Sequence, residues 1–106
     1  MAILHFLRDY LLIKKSDYFD EKYYLETNLD VRRADVNPLW HFVRFGWKER
    51  RDPSPNFDIN AYLHANQDVE QSGVNPLVHY LKFGLQENRQ FVLPSPSVTN
   101  LPSSFN

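Results

Sequence analysis

The strongest constraint on the fold of this chain is an internal duplication. Residues 19–51, the first copy, align without a gap with residues 57–89, the second copy, and 16 of the 33 aligned positions are identical. Duplicated segments of this length are typical of stacked helical repeats, in which each unit buries its apolar face against its neighbours. We therefore predict an all-α, small helical repeat domain that functions through surface contacts. Each of its two units, of about 38 residues, is expected to be a helix-turn-helix.

The identical positions predict how the first helix of each unit begins and ends. Asp20 is placed to cap this helix, and Phe19 and Tyr24 have the spacing of a hydrophobic staple. Asn28 is expected to end the helix in the left-handed conformation, and Asp30 to cap a further short helical turn. The same residue types recur in the second copy at Phe57, Asp58, Tyr62, Asn66 and Asp68.

The second helix of each unit has clearer boundaries. Asn37 supplies a capping side chain before Pro38, which suits the first helical position because its missing N–H costs nothing there. Gly46 is expected to stop the helix. The apolar stripe between these limits consists of Leu39, Phe42 and Val43. The counterparts in the second copy are Asn75, Pro76, Gly84, Leu77, Tyr80 and Leu81.

A third, partial copy lies near the N-terminus, where residues 3–8 have the pattern of residues 39–44. One of its helical faces is expected to dock on the repeats, and this face carries Ile3, Phe6, Leu7, Tyr10 and Leu11. The predicted organisation is one domain over 1–92, with a partial unit at 3–13, unit one at 19–53 and unit two at 57–91, followed by a flexible Pro/Ser-rich tail over 93–106.

Composition and charge exclude several classes of function. The chain has 12 Lys and Arg against 13 Asp and Glu, with no long run of either sign, which argues against nucleic-acid binding. It has no cysteine, and therefore no disulfide framework and no thiolate metal site. The apolar run at residues 3–13 is too short to span a bilayer and lacks a signal-peptide cleavage region. The alternative to docking on the repeats is an amphipathic membrane anchor, which we disfavour because the polar face of this run is not notably basic. We therefore expect no membrane contact, and we expect a cytoplasmic location.

Three histidines, His5, His41 and His79, occupy matching positions in the partial and full copies. A metal ladder is one interpretation, because imidazole is a common metal ligand. Equivalent residues in successive repeats are usually too far apart to share an ion, however. We favour structural histidines that are hydrogen-bonded or packed on Val36 and Val74, and we predict no metal and no cofactor.

Two sets of residues are candidates for contacts with a partner or a glycan. The Glu-x-Arg pairs could recognise a sugar or a carboxylate, or they could fasten each loop to the next unit by ion pairs. The two tryptophans could stack on a sugar or a partner, or they could fill gaps against the N-terminal helix. The candidate residues are Trp40, Trp47, Arg44, Glu49, Arg51, Glu87 and Arg89.

No enzymatic constellation is recognisable, and we predict that the chain is not an enzyme. The glycines form no phosphate-binding loop, and neither a Gly-x-Ser-x-Gly nor a His-Glu-x-x-His motif is present. The aspartates that recur in both copies are explained as helix caps.

The repeated frame reads Phe-Asp, Tyr-Leu, Asn-x-Asp-Val, Asn-Pro-Leu-x-His, Phe-Gly and Glu-x-Arg. It resembles a tandem module of bacterial proteins, which are often large glycosyltransferases of surface-polysaccharide assembly and in some cases long repetitive secreted proteins. The resemblance covers Phe19 to Arg89 and the partial copy. In this chain Leu29 and Gln67 replace a proline of the module, and Arg50 and Asn88 replace a glycine; a left-handed turn suits Asn88 but has an energetic cost at Arg50.

The resemblance implies a non-catalytic interaction or scaffolding module that positions, oligomerises or docks a larger glycosyltransferase. The alternative is a carbohydrate-binding module that recognises a surface glycan through the tryptophans and the Glu-x-Arg loops. The expected partner is therefore a protein or a glycan, and no nucleic acid.

Overall fold

The computed structural model describes residues 2–87, which contain helices and no β-strand, so the all-α prediction is confirmed for this part of the chain. The end of the predicted unit two, with Arg89, and the predicted tail lie outside the described residues. The helices are α1 (Ala2–Lys15), α2 (Glu21–Thr27), α3 (Leu29–Ala34), α4 (Pro38–His41), α5 (Ile59–Ala65), α6 (Gln67–Ser72) and α7 (Pro76–His79). Helix α4 continues into a first π-helical turn, Phe42–Gly46, and α7 into a second, Tyr80–Gly84.

The predicted caps at the start of the first helix of each copy are confirmed. Asp20 accepts a hydrogen bond from the backbone N–H of Tyr23 at 3.0 Å, and Asp58 accepts one from Ala61 at 2.9 Å. The predicted staples are also present, since ring centroids lie 5.3 Å apart in both pairs, Phe19–Tyr24 and Phe57–Tyr62.

The first helix of each copy does not end as predicted. Asn28 and Asn66 have φ angles of −129° and −133°, so neither is left-handed. Their side-chain amides donate instead to the carbonyls of Tyr24 and Tyr62, at 2.8 and 2.9 Å. Because the amide satisfies a free carbonyl at the helix end, the chain can bend without a left-handed residue.

Each copy therefore contains three helical segments, because the short helical turn predicted after Asn28, and after Asn66 in the second copy, is present as helix α3 or α6. Helix α3 begins at Leu29, directly after the bend, so Asp30 lies inside its first turn and is not its cap. Asp68 likewise lies inside the first turn of α6. The left-handed residues come later, at Asp35 (φ 55°) and Gly73 (φ 73°), which end α3 and α6.

Replacing Asp35 with glycine should raise the free energy of unfolding by about 0.5–1 kcal/mol, because glycine adopts a positive φ without the steric cost of a Cβ. The matched control is Gly73→Asp, which should lower stability by a similar amount. A Cβ at Gly73 meets no atom within 4 Å, so the control isolates backbone strain. Urea midpoints that do not move in either variant would contradict this account.

The second helix of each copy begins as predicted. Asn37 accepts a hydrogen bond from the backbone N–H of Trp40 at 3.1 Å, and Asn75 accepts one from Leu77 at 3.0 Å. The helical segments end at Gly46 and Gly84 as predicted, but neither glycine has a positive φ angle, so neither acts as a left-handed cap. Their missing side chains allow a tyrosine hydroxyl to approach the backbone.

Helix α1 bridges the two copies. It contacts α4, the first π turn and α7, and its Tyr10 hydroxyl accepts a hydrogen bond from the Asn37 side chain at 3.0 Å. Just beyond α1, Tyr18 packs edge-on against Tyr80, with ring centroids 5.5 Å apart. One core therefore joins α1 to both copies. Its buried apolar residues are Ile13, Tyr24, Val31, Leu39, Phe42, Val43, Phe57, Ile59, Tyr62, Leu63, Val69, Leu77, Val78 and Tyr80.

The face of α1 that docks agrees with the predicted one only at Phe6 and Tyr10. Phe6 and Tyr10 are half-buried and Ile13 is fully buried, whereas the predicted contact residues Leu7 and Leu11 are exposed, as is Ile3. Helix α1 has two apolar rows, and only one can face the core. The row that packs contains two aromatic rings and therefore buries more surface.

Candidate functional site

The Arg51 side chain is held within its own copy. Its Nη1 and Nη2 atoms donate to the two carboxylate oxygens of Asp30, both at 2.8 Å, and its Nε donates to Glu49 at 2.8 Å. A further bond, at 2.9 Å, goes to the Asn28 side chain. The bidentate bond to Arg51 lowers the pKa of Asp30 to about 2. Asp30 thus occupies the position that a ligand carboxylate would take in the predicted site.

Arg50, rather than the Glu49–Arg51 pair, reaches the next copy. Its guanidinium donates to Asn60 at 3.1 Å and to Glu70 at 2.9 Å. Both charged side chains are close to half exposed, so the pair contributes at most about 1 kcal/mol. The expectation of a fastener to the next unit is therefore wrong for Arg51, because the carboxylate of α3 lies nearer and fits its planar fork. Arg50 adopts the left-handed conformation, with φ 63°.

Two of the three matching histidines, His41 and His79, are hydrogen-bonded, as one of the sequence interpretations predicts. The Nδ1 atom of His41 lies 2.8 Å from the Tyr24 hydroxyl, and His79 and Tyr62 form the same pair at 2.8 Å. Burial lowers the pKa of His41, and the nearby charge of Arg51 lowers it further. Tyr24 is fully buried and Gly46 lies against its hydroxyl, so this histidine orients a core side chain.

The depressed pKa of His41 predicts a pH-dependent stability. The unfolded chain binds a proton at His41 more readily than the folded chain does. The contribution of neutral His41 to stability is therefore fully present above the ordinary pKa of 6.5, and it is lost as the pH falls below that value. Urea unfolding should therefore give a lower free energy at about pH 5.5 than at about pH 8, where carboxylates contribute little change. An NMR titration of the His41 ring should give a pKa below 6.5; a value at or above 6.5 would contradict this assignment.

Three of the candidate residues, Trp40, Trp47 and Arg44, meet in a groove of about 620 Å³ between α1 and the first π turn. The Trp47 indole N–H donates to the carbonyl of Val43 at 3.0 Å, which fixes this half-buried ring as a filler of the gap. Trp40 is 38% exposed, and its ring packs edge-on against Phe45. The groove therefore has one anchored indole and one indole with an accessible surface.

Charged side chains surround the indoles. The Lys48 ammonium lies 5.6 Å from the centre of the Trp47 ring, and the Arg44 guanidinium lies 5.2 Å from that of Phe45. Asp9 is half-buried; burial raises its pKa, and attraction to Lys82 and His5 offsets part of this rise. Aromatic surface, cations and a carboxylate together suit a hydroxyl-rich or anionic ligand.

Sequence reasoning did not identify His5, Asp9 or Lys48 as groove residues. Asp9 and Lys48 lack counterparts of the same type in the other copies, so the duplication did not single them out. The periodicity of α1 was the available signal, but it left two apolar rows to choose between. Of the remaining candidates, Glu87 follows the second π turn, where its backbone N–H bonds to the Phe83 carbonyl at 3.1 Å, and Arg89 lies outside the described residues.

Comparisons of the chain with family models, with curated proteins and with solved structures found no match. Over residues 2–87, every helix falls short of the length and apolar character needed to cross a bilayer. Nor do three His, Asp or Glu side chains of those residues meet in a group that could hold a metal ion.

Proposed function

We propose that this chain is a non-catalytic helical repeat module that serves as an interaction or scaffolding domain of a larger bacterial glycosyltransferase of polysaccharide assembly. One observation carries the proposal: polar residues that recur in the two copies are engaged in internal contacts. The same hydrogen bond between a tyrosine hydroxyl and a histidine ring joins Tyr24 to His41 and Tyr62 to His79, and Arg51 binds Asp30. These residues serve the scaffold, so function falls to the surface that the scaffold presents.

The repeat organisation is supported by the correspondence between the copies. Helices α5, α6 and α7 follow α2, α3 and α4 in the same order, and each second helix runs into a π turn that ends at a glycine. The tie to polysaccharide assembly is supported by the motif resemblance of Phe19 to Arg89.

A protein-docking role is favoured by apolar side chains that recur in both copies and yet remain on the surface. Val36 and Phe45 are exposed in the first copy, as are Val74 and Phe83 in the second. Each phenylalanine contacts the histidine of its own copy, with ring centroids 5.7 and 5.4 Å apart. Val74 and Phe83 line one groove of the second copy, and exposed apolar side chains gathered in this way commonly mark contacts between proteins.

Glycan binding is a second candidate, and the groove at Trp40 favours it. The groove lining contains one carboxylate, Asp9, whereas glycoside hydrolysis ordinarily uses two. Its aromatic and charged groups are thus suited to binding a sugar rather than to cleaving one.

One NMR experiment distinguishes the two candidates. The 15N-labelled chain is titrated with surface-polysaccharide glycosyltransferases of the source organism, and separately with its surface oligosaccharides. Loss of signal at Val36, Phe45, Val74 and Phe83 on addition of a glycosyltransferase supports docking, and the double variant Phe45→Ser/Phe83→Ser should abolish it. Saturable shifts of the Trp40 indole signal with oligosaccharide support glycan binding. No change in either titration would overturn both.

A further inference from the structure

The outward face of α1 carries a row of aliphatic side chains that the described residues 2–87 leave exposed. Ile3 is 68% exposed, Leu4 57%, Leu7 48% and Leu11 52%. Spacings of three and four residues place these four side chains on one side of a helix. The row extends along most of α1, opposite the buried Ile13.

The exposed charged residues of α1 are cations. Arg8, Lys14 and Lys15 are exposed, and the last two form the final turn of α1. Asp9, the single carboxylate of α1, is half-buried, and its charge is attracted to Lys82 in the second copy. The sequence suggests that the polar face of α1 is not notably basic. In the structure Asp9 is half-buried, so the charged side chains that α1 exposes are Arg8, Lys14 and Lys15.

We propose that the outward face of α1 adsorbs to an anionic membrane surface. Helix α1 would lie in the plane of the headgroups, with Leu4, Leu7 and Leu11 inserted at the acyl boundary and Arg8, Lys14 and Lys15 bound to lipid phosphates. This is the arrangement of interfacial amphipathic helices, whose binding combines buried apolar area with attraction to anionic lipid. It goes beyond the proposed docking to a glycosyltransferase and does not depend on it.

Shape and charge favour a lipid surface over a second copy of the chain. Arg8 lies near the middle of α1, so an antiparallel two-fold pairing would place two Arg8 side chains beside each other, and a parallel pairing would align all the cations. A single helix is also a convex ridge, which a flat headgroup layer accepts along its length. Protein partners commonly take up an amphipathic helix in a hydrophobic groove.

Co-sedimentation of the full chain with lipid vesicles tests the proposal. We expect binding to vesicles of phosphatidylcholine with about 30% phosphatidylglycerol, weaker binding to phosphatidylcholine alone, and a decrease with added salt. Leu7→Gln and the double variant Lys14→Gln/Lys15→Gln should each weaken binding about tenfold. The matched control is Leu29→Gln on α3, because Leu29 has the same 48% exposure as Leu7; it should bind like the parent chain.

Three outcomes would overturn the proposal, provided that circular dichroism shows the variants to be folded. The first is no binding to the anionic vesicles. The second is an equal loss of binding in Leu7→Gln and Leu29→Gln, which would indicate non-specific adsorption. The third is a dimer in sedimentation velocity that Leu7→Gln dissociates, which would assign this face to a second copy. The glycosyltransferase titration uses other residues, so each proposal can fail separately.

Discussion

Replacing Gly46 with alanine is expected to lower the free energy of unfolding by about 1–3 kcal/mol, because the added methyl group collides with the Tyr24 hydroxyl. The tyrosine ring is fully buried and packs against Phe42, so it cannot swing aside without disturbing the core. Moving the ring would also break the hydrogen bond to His41. The loss can be measured by urea unfolding followed by far-UV circular dichroism.

A double-mutant cycle identifies the collision as the cause. Tyr24→Phe alone should cost about 1 kcal/mol, since it removes the hydrogen bond to His41. In that background the alanine at Gly46 should cost much less, because the colliding oxygen is gone. If the losses in unfolding free energy of the two single variants simply add in the double variant, the collision is not the cause. In the second copy a Cβ at Gly84 would lie 2.7 Å from the Tyr62 hydroxyl and 2.8 Å from the Tyr80 ring, so Tyr62→Phe should relieve only part of the cost of Gly84→Ala.

Replacing Leu39 with alanine should cost about 2–5 kcal/mol and lower the unfolding midpoint of both copies together. Leu39 is 7% exposed in the core, and α1 contacts both α4 and α7, so neither copy can lose its packing alone. Leu77, fully buried at the matching position, should give a similar loss.

The positions of the tryptophans make this cooperativity measurable. Trp40 and Trp47 both belong to the first copy, so fluorescence reports on that copy, whereas circular dichroism reports on all the helices. In Leu77→Ala the two signals should shift to the same lower midpoint. A fluorescence midpoint that stays at the parent value while circular dichroism shifts would show that the copies unfold independently.

Features that depend on neighbouring residues could be predicted from the sequence. The Asp20 and Asn37 caps each bond to an amide three positions along the chain, so residue type and spacing suffice. Asn28 shows the limit of that approach. An asparagine can end a helix by adopting a left-handed backbone or by donating its side-chain amide to a free carbonyl, and the residue type alone does not decide between the two.

Contacts between distant residues could not be predicted in this way. Tyr24 and His41 are 17 residues apart, and Arg51 and Asp30 are 21 apart. Gly46 has the residue type of a helix stop, and only the position of Tyr24 explains its presence. The groove at Trp40 depends on which row of α1 packs, and this is decided by the area that each row can bury.

The bridge made by α1 limits how far this architecture can be extended. A solenoid whose units contact only their neighbours can gain a repeat at any point, because each addition leaves the other interfaces unchanged. Here a single helix, α1, contacts both α4 and α7, so its length limits how far apart these two helices can lie. An extra unit inserted between the copies would carry α7 beyond its reach, so lengthening must take place outside the segment that α1 spans.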